Sequence, residues 1–398
     1  MDFLKLKNNF TFDFFVKGIV YDCYWNIYNV SNDQDFFNDK KMEVELYKNI
    51  VVNNIPTYLE ARPKDSYDLF RIQHQDGFLA DLRKYPSLQK YMGVQFGSKS
   101  RSKMRGYLRR LETCFDIRYK MYYGEITEKE FGFLFRKLKE MIGRRFSQRG
   151  DVHQSLKHWE YLKNNTLDMI LKKSASLFVI FDKNKPIDIC LNYHHQNVFR
   201  NYIRSYDIDY SKFRLGYIDI WKQLDWCFEN NHTIFDLSLG DLAYKRTWCN
   251  TVYKFEHHVI YKKQNIGEKI KALTILRLLQ LRWFLGRTNL LKPYYGIKSL
   301  LKGSAKEEKR IDQETIFDLK DISNIELDRA SLSEVDIDDD EYAFIRKHAY
   351  NFQYLNFENS KNINVHRMND IDGNYVISGL KKTQKLVFKA PHHTNNIS

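Results

Sequence analysis

The sequence predicts an α+β protein, a mixed and mostly antiparallel sheet flanked by helices. Three observations carry that prediction. Apolar residues recur at helical spacing in several stretches. Strand-like runs over residues 176–206 are joined by short polar turns. Taken in order, residues 98–262 read strand, two helices, three strands, helix and two strands, after an opening helix.

Residues 1–95 hold short aromatic and β-branched runs such as Phe10–Val20 and Asp22–Val30, and a helical stretch is expected around Phe78–Tyr91, broken by Pro86. Ser98 or Ser100 is placed to cap a helix whose Met104, Leu108 and Leu111 share one face, with cations filling the rest. Phe115–Tyr123 alternates as a strand. Glu128–Phe146 and Ser155–Lys173 read as helices, with Thr127 capping the first. The runs Ser176–Asp182, Pro186–His195 and Val198–Tyr206 form a meander through the Lys183-Asn184-Lys185 and Gln196-Asn197 turns. Gly216–Glu229 follows as a helix, and Thr233–Leu239 and Val252–Lys262 as strands.

The organisation expected is an α/β region over 1–97, a catalytic domain over 98–262, a basic apolar helical extension over 263–303 and an acidic linker with a small C-terminal segment over 304–398. The 398 residues suffice for two or three domains, and 43% hydrophobic with 15% aromatic content is globular. The net charge of +14 is uneven: residues 304–398 hold 13 Lys and Arg against 17 Asp and Glu, leaving +18 on residues 1–303. Such a surface attracts anions, from phosphates to nucleic acid, or is a solvated basic face. Ile266–Gly286 is a basic helix with apolar residues almost all round. It is expected to pack on the protein rather than insert in lipid, although basic apolar helices also lie on anionic membranes.

Cys23, Cys114, Cys190, Cys227 and Cys249 are scattered and odd in number, the reduced-thiol usage of a cytoplasmic protein rather than a disulfide framework or zinc site. No signal-peptide pattern opens the sequence, and no apolar run is long enough to span a membrane. Adjacent histidines (His194-His195, His257-His258) point to opposite faces of a strand, so no metal is expected. No Walker A loop, G-x-G-x-x-G or G-x-S-x-G occurs, leaving NTPase, dinucleotide and serine-hydrolase chemistry without a motif.

The stretch Ile234–Trp248 is the most informative. An alternating strand runs into Gly240-Asp241, and Tyr244, Lys245 and Trp248 follow. A strand ending in a polar turn is where such folds commonly place a site. Asp236 is unfavourable in a strand by propensity, so something specific holds it. Upstream, Ser211–Tyr217 joins a strand to a helix and offers Lys212, Arg214, Gly216 and Tyr217, the chemistry of an anion site at a helix start; the alternative is an ordinary loop capped by Gly216. Tyr202, Arg204 and Tyr206 share one strand face. Asp207 follows them, as a candidate base or, in Asp207-Ile208-Asp209, a turn former.

Asp236, Gly240, Asp241, Tyr244, Lys245 and Trp248 together resemble the Asp-x-x-x-Gly-Asp-x-x-Tyr-Lys-x-x-Trp signature of GNAT acyltransferases in the FemAB-like and CelD-like branch. The resemblance implies a GNAT-like sheet, with residues 1–97 as a degenerate first GNAT-like half. It implies Asp236 as the leading polar residue, either a base or the group that orders Lys245 or Arg246. Tyr244 becomes a general acid or a packing residue, and Arg204, Tyr206, Asp241 and Lys245 border the acceptor. The Ser211–Tyr217 loop departs from the family's Gln/Arg-x-x-Gly-x-Gly/Ala pattern, with Phe213 and Ile218 at the outer positions.

The function expected is transfer of an acyl group, acetyl from acetyl-CoA or another acyl-CoA, to an amine or hydroxyl of a small-molecule or glycan acceptor in envelope or polysaccharide biosynthesis. The alternatives are a transferase using aminoacyl-tRNA and a non-catalytic basic module for membrane surfaces or nucleic acid.

Overall fold

The computed structural model describes residues 8–36, 41–42, 50–147, 154–287, 317–325, 328–369 and 373–388. Of the acidic linker expected to start at Ser304, residues 304–316 lie outside these residues, as does the tail His392–Ser398, whereas Phe317–Asp321 and Leu332–Glu334 within the acidic stretch are strands. In chain order the first strands are β1 (Asn8–Asn9), β2 (Val20–Tyr21), β3 (Tyr24–Asn29), β4 (Gln34–Phe36), β5 (Lys41–Met42), β6 (Ile50–Pro56), β7 (Leu59–Pro63) and β8 (Tyr67–Asp81). Helices α1 (Leu88–Gln95) and α2 (Ser98–Cys114), strand β9 (Ile117–Tyr122) and helices α3 (Glu128–Ser147) and α4 (Trp159–Leu171) follow. The meander is β10 (Ala175–Asp182), β11 (Lys185–His195) and β12 (Val198–Tyr206). Then come α5 (Leu215–Glu229), β13 (Ile234–Leu239), α6 (Ala243–Trp248), β14 (Thr251–Lys262) and α7 (Ile266–Arg287).

One large sheet runs β1-β6-β14-β8-β13-β12-β11-β10-β9. Its pairings are antiparallel except β1 with β6 and β12 with β13. Strand β10 is buried nearly end to end, which its apolar run explains. Alternate side chains divide between two layers. Leu177, Val179 and Phe181 meet α3 and α4 on one face. Phe178 and Ile180 meet α2 and α5 on the other. The fold is thus the α+β architecture expected.

Local signals account for most elements. Thr127 and Glu130 form a capping box at α3: the Thr127 hydroxyl accepts from the Glu130 amide at 3.2 Å, and the Glu130 carboxylate accepts from the Thr127 amide at 3.3 Å. Met104 and Leu111 of α2 are buried, as their spacing requires. Its N-cap is Gly97, however, not Ser98 or Ser100. The segment Ser155–Lys173 opens with a 3₁₀ turn before α4.

The helix expected at Phe78–Tyr91 is a correction. Phe78–Asp81 end the 15-residue strand β8, and α1 begins only at Leu88, capped by Ser87. Phe78, Leu79 and Ala80 are buried together, and a strand covered on both faces loses the alternation that marks it. The difference matters because β8 lies between β13 and β14. Strands β1 and β6 enter the same sheet, so residues from the 1–97 region and the 98–262 region share it.

The C-terminal residues form a second antiparallel sheet from β15 (Phe317–Asp321), β16 (Leu332–Glu334), β17 (Asn364–Met368), β18 (Asn374–Ser378) and β19 (Thr383–Phe388), with helix α8 (Ala343–Asn356) against it. This unit also packs on the large domain. Tyr350 of α8 lies among Phe115, Tyr210 and Phe213. Asn359 donates to the Thr113 carbonyl at 2.8 Å.

Candidate active site at a parting pair of strands

Strands β12 and β13 pair only through Val198–Arg200 and Ile234–Asp236. Beyond that rung β12 continues to Tyr206 and β13 to Leu239 without pairing to each other, so a wedge opens between them. Helix α5 starts at the β12 side and α6 at the β13 side. The part of the Ile234–Trp248 motif beyond Asp236 therefore sits on one flank of the wedge, and Arg204 with the first turn of α5 on the other.

Asp236 lies at the apex and is 0% exposed. Its Oδ1 accepts from the Tyr253 hydroxyl at 2.8 Å and from the Ser238 amide at 2.7 Å. Its Oδ2 accepts from the Tyr58 hydroxyl at 2.9 Å and from Arg200 Nη1. Four donors fill the seats of one carboxylate. Arg200, buried with it, gives its other nitrogen to Ser238 Oγ at 2.6 Å and stacks over Phe15 at 4.9 Å. The Ser238 amide bond supports an unusual backbone: Ser238 has φ 64°, a left-handed conformation that a residue with a Cβ rarely adopts. Gly77 of β8 leaves the room that the Tyr253 ring fills; a Cβ there would overlap it.

The turn so formed aims two carbonyls at one cation. Lys245 Nζ donates to Ser238 O at 3.3 Å and to Leu239 O. Lys245 is only 5% exposed, a rare state for a lysine. Burial pushes its ammonium down to about 8; Asp236 pulls the other way, while Arg200 and Arg204 add to the depression.

On the opposite flank Arg204 is tied to α5. Its Nε donates to Asp219 Oδ2 at 3.1 Å, and its Nη2 to Asp219 Oδ1 and to Gly216 O at 2.6 Å. The guanidinium also faces the Tyr244 ring, 5.3 Å from its centroid, so the two flanks meet here. Tyr206 is covered by Arg145 at 4.7 Å. Lys212 and Arg214 are exposed, and Gly216 and Tyr217 half-buried. The connection into α5 is a 3₁₀ helix, Ile208–Phe213, whose Tyr210 and Phe213 are buried. What it offers an anion is the first turn of α5 with those two cations.

Asp207 is not in the wedge. It caps the 3₁₀ helix through the Asp209 amide at 3.1 Å, and pairs with Arg144 at 2.8 Å and Lys185 at 3.0 Å. Burial alone would raise its carboxyl, but Lys185 and Arg144 hold it below the ordinary value. A cavity of about 1210 Å³ lies beside it, between α3, the 182–186 turn and the C-terminal unit; none of its lining residues comes from β13 or α6. Asp241 is exposed and pairs with Arg246.

Among the described residues one trio of metal-type donors is close-set: Asp188, Cys190 and Asp219, all buried. Burial and the neighbouring Asp219 raise the Asp188 carboxyl well above its usual range. Arg204 already supplies a positive charge to Asp219.

Arg200, Tyr58, Tyr253 and Asp219 were not read from the sequence. Arg200 carried a signal, a cation directly after the apolar Val198 and Phe199 of β12, which demands a partner when buried. Nothing local marked the two tyrosines.

Residues 98–246, less than half of the chain, match the family described as acetyltransferase (GNAT) domain. The chain therefore carries a GNAT-type domain, and the protein is an acyltransferase enzyme. Compared with curated proteins, the sequence matches none. Among solved structures it is similar to FemX, with 11% identity, TM-score 0.38, and 54% of this chain and 72% of that one covered. A DUF2156 domain of a putative lysylphosphatidylglycerol synthetase from Agrobacterium fabrum aligns with 10% identity and TM-score 0.36, over 57% of this chain and 70% of that one. L-PGS from Bacillus licheniformis gives 12% identity and TM-score 0.34, over 59% and 74% respectively.

Proposed function

We propose that the protein moves an acyl group from acetyl-CoA or a related acyl-CoA to an amine or hydroxyl of a sugar-type or envelope-precursor acceptor, in the wedge between β12 and β13. The placement of Lys245 carries this reading. A buried ammonium held between Asp236 and two guanidiniums, at the turn where the strands part, is a preorganised positive charge. The donor's phosphates lie against Lys212, Arg214 and the first turn of α5 at Gly216 and Tyr217. The thioester carbonyl oxygen turns toward Lys245 Nζ. The acceptor's lone pair forms the new C–N or C–O bond, the oxyanion is stabilised by Lys245, and collapse breaks the C–S bond. The acceptor's proton passes to the departing thiolate, with the Tyr244 hydroxyl handing it over. Arg204, Tyr206 and Asp241 border the acceptor.

Neither carboxylate is the base in this reading. Asp236 has no free seat, and Asp207 is ion-paired away from the wedge. Asp236 is a positioning residue: it holds Arg200 and the left-handed Ser238, which present the carbonyls that seat Lys245.

A second reading, an aminoacyl-tRNA donor, is favoured by one observation. The 3₁₀ helix with buried Tyr210 and Phe213 replaces an open glycine-rich phosphate loop, while the basic surface of residues 1–303 suits a polyanion. Thiol release from acetyl-CoA with a panel of amino sugars separates the two. Turnover supports the first reading. Silence with acyl-CoA and turnover of a charged tRNA supports the second.

A further inference from the structure

Helix α7 has two apolar faces, and among the described residues only one of them is buried. The inner face carries Ala272 and Leu279, buried against Val259 and Tyr261 of β14, with Ile275 beside them. Trp283 Nε1 donates to the His74 carbonyl of β8 at 2.8 Å, fixing the far end of the helix on the sheet. The expectation that this helix packs on the protein is thus met on that side.

The outer face is different. By the 3.6-residue period, Ile266, Ile270, Leu273, Leu278 and Leu281 fall in one arc opposite Ala272 and Leu279. Ile266 is 76% exposed, Ile270 59% and Leu281 47%. Lys269 flanks this arc on one side, and Lys271 and Arg282 on the other; Arg277 lies within it, and all four are exposed. The helix's acidic residue, Glu268, accepts from the Lys262 amide at 2.9 Å and so caps the end of the preceding strand. No helix of the described residues is long and apolar enough to cross a membrane.

We propose that this outer face docks the protein on an anionic phospholipid surface. The apolar arc enters the headgroup boundary and the flanking cations meet lipid phosphates, with their aliphatic stems along the apolar surface. Charge selects this occupant. A second copy of the face would bring Lys269, Lys271, Arg277 and Arg282 against the same four cations, whereas an anionic bilayer complements them. Docking is independent of the chemistry in the wedge, because none of these residues lies on β12, β13 or α6.

The test is co-flotation of the full chain with vesicles at physiological salt. Phosphatidylcholine vesicles containing phosphatidylglycerol are compared with pure phosphatidylcholine. The expected result is flotation with the anionic vesicles and at least about tenfold weaker flotation with the neutral ones. The combined variant Ile270→Gln, Leu278→Gln, Leu281→Gln should lose flotation with an unchanged circular dichroism spectrum, since these side chains do not enter the core. Should that variant not fold, Lys269→Gln, Lys271→Gln, Arg282→Gln replaces it, and should also weaken flotation about tenfold. Absence of flotation with anionic vesicles overturns the proposal, as does equal flotation of folded variant and wild type. A dimer in light scattering that disappears in the first variant, without flotation, assigns the face to a second copy instead.

Discussion

Arg200 and Asp236 stand directly opposite each other in the last paired rung of β12 and β13, and their side chains form an ion pair closed off from solvent. The pair sits where the parallel strands part. It is also where Tyr58 of the β6–β7 turn, Tyr253 of β14 and the Ser238 turn converge. A buried charge pair is sensitive to the loss of one partner, because the other is left uncompensated.

Removing one side of that pair should therefore be severe. Asp236→Asn keeps the shape and leaves Arg200 buried without its counter-charge, with an expected loss of about 3–5 kcal/mol. Denaturant melts of Asp236→Asn, Arg200→Met and the double variant Arg200→Met/Asp236→Leu check this. The double variant should be markedly more stable than either single one. A stable Asp236→Asn protein with abolished turnover would instead return Asp236 to the role of base.

Lys245 yields a pH prediction. Its folded pKa, about 8, lies below the ordinary lysine value of 10.5. Between those values the unfolded chain binds more protons than the folded one, so this group's contribution to stability rises with pH across that window. Catalysis should move the other way. With the charged form stabilising the oxyanion, kcat should fall as pH rises through about 8. Lys245→Ala should lower kcat about 10²–10³-fold with KM for the donor little changed. A rate that climbs through the same pH would make neutral Lys245 a base.

Gly77→Ala tests the support of the site from a distance. A Cβ at Gly77 would meet the Tyr253 ring, which must then move and drop its hydrogen bond to Asp236. The expected effect is a loss of about 1–3 kcal/mol with reduced turnover. Crystallography of the variant, or tyrosine hydroxyl resonances, reads the displacement. An unaffected enzyme would mean that Tyr253 is not needed.

The opposite net charge of residues 304–398 would suit a soluble protein truncated after Gly303, were the C-terminal residues not packed on the core. They do pack. Tyr350 is buried against Phe115, Tyr210 and Phe213, and its hydroxyl lies 3.2 Å from that of Tyr210. Truncation should expose this aromatic surface beside α5 and produce aggregation. Size-exclusion chromatography checks it; a monodisperse truncated protein would contradict the packing argument.

The sequence revealed the two-layer sheet wherever periodicity was clean. The β10–β12 meander follows from β-prone apolar runs bounded by short polar turns, and α3 with its Thr127 cap and α5 from helical periodicity and caps. It failed at β8, where burial of Phe78, Leu79 and Ala80 on both faces erased the alternation. At the site, an aspartate in a buried strand announced a specific partner, and Asp236 has one. The partners themselves were hidden because they are non-local: Tyr58 is 178 positions away, and a tyrosine carries no mark of what its hydroxyl will meet. Asp207 looked like either a base or a turn former; the distant Arg144, brought over by α3, decides its surroundings.

Isothermal titration with acetyl-CoA tests the central claim most directly, because the donor must bind before Lys245 can act on it. The account predicts heat of binding at sub-millimolar donor, weakened at least about tenfold by Arg214→Glu, which reverses a charge at the anion-binding turn, and retained by Lys245→Ala. No heat with the wild-type protein, or Arg214→Glu binding as tightly, would contradict it and leave the aminoacyl-tRNA donor as the reading to pursue.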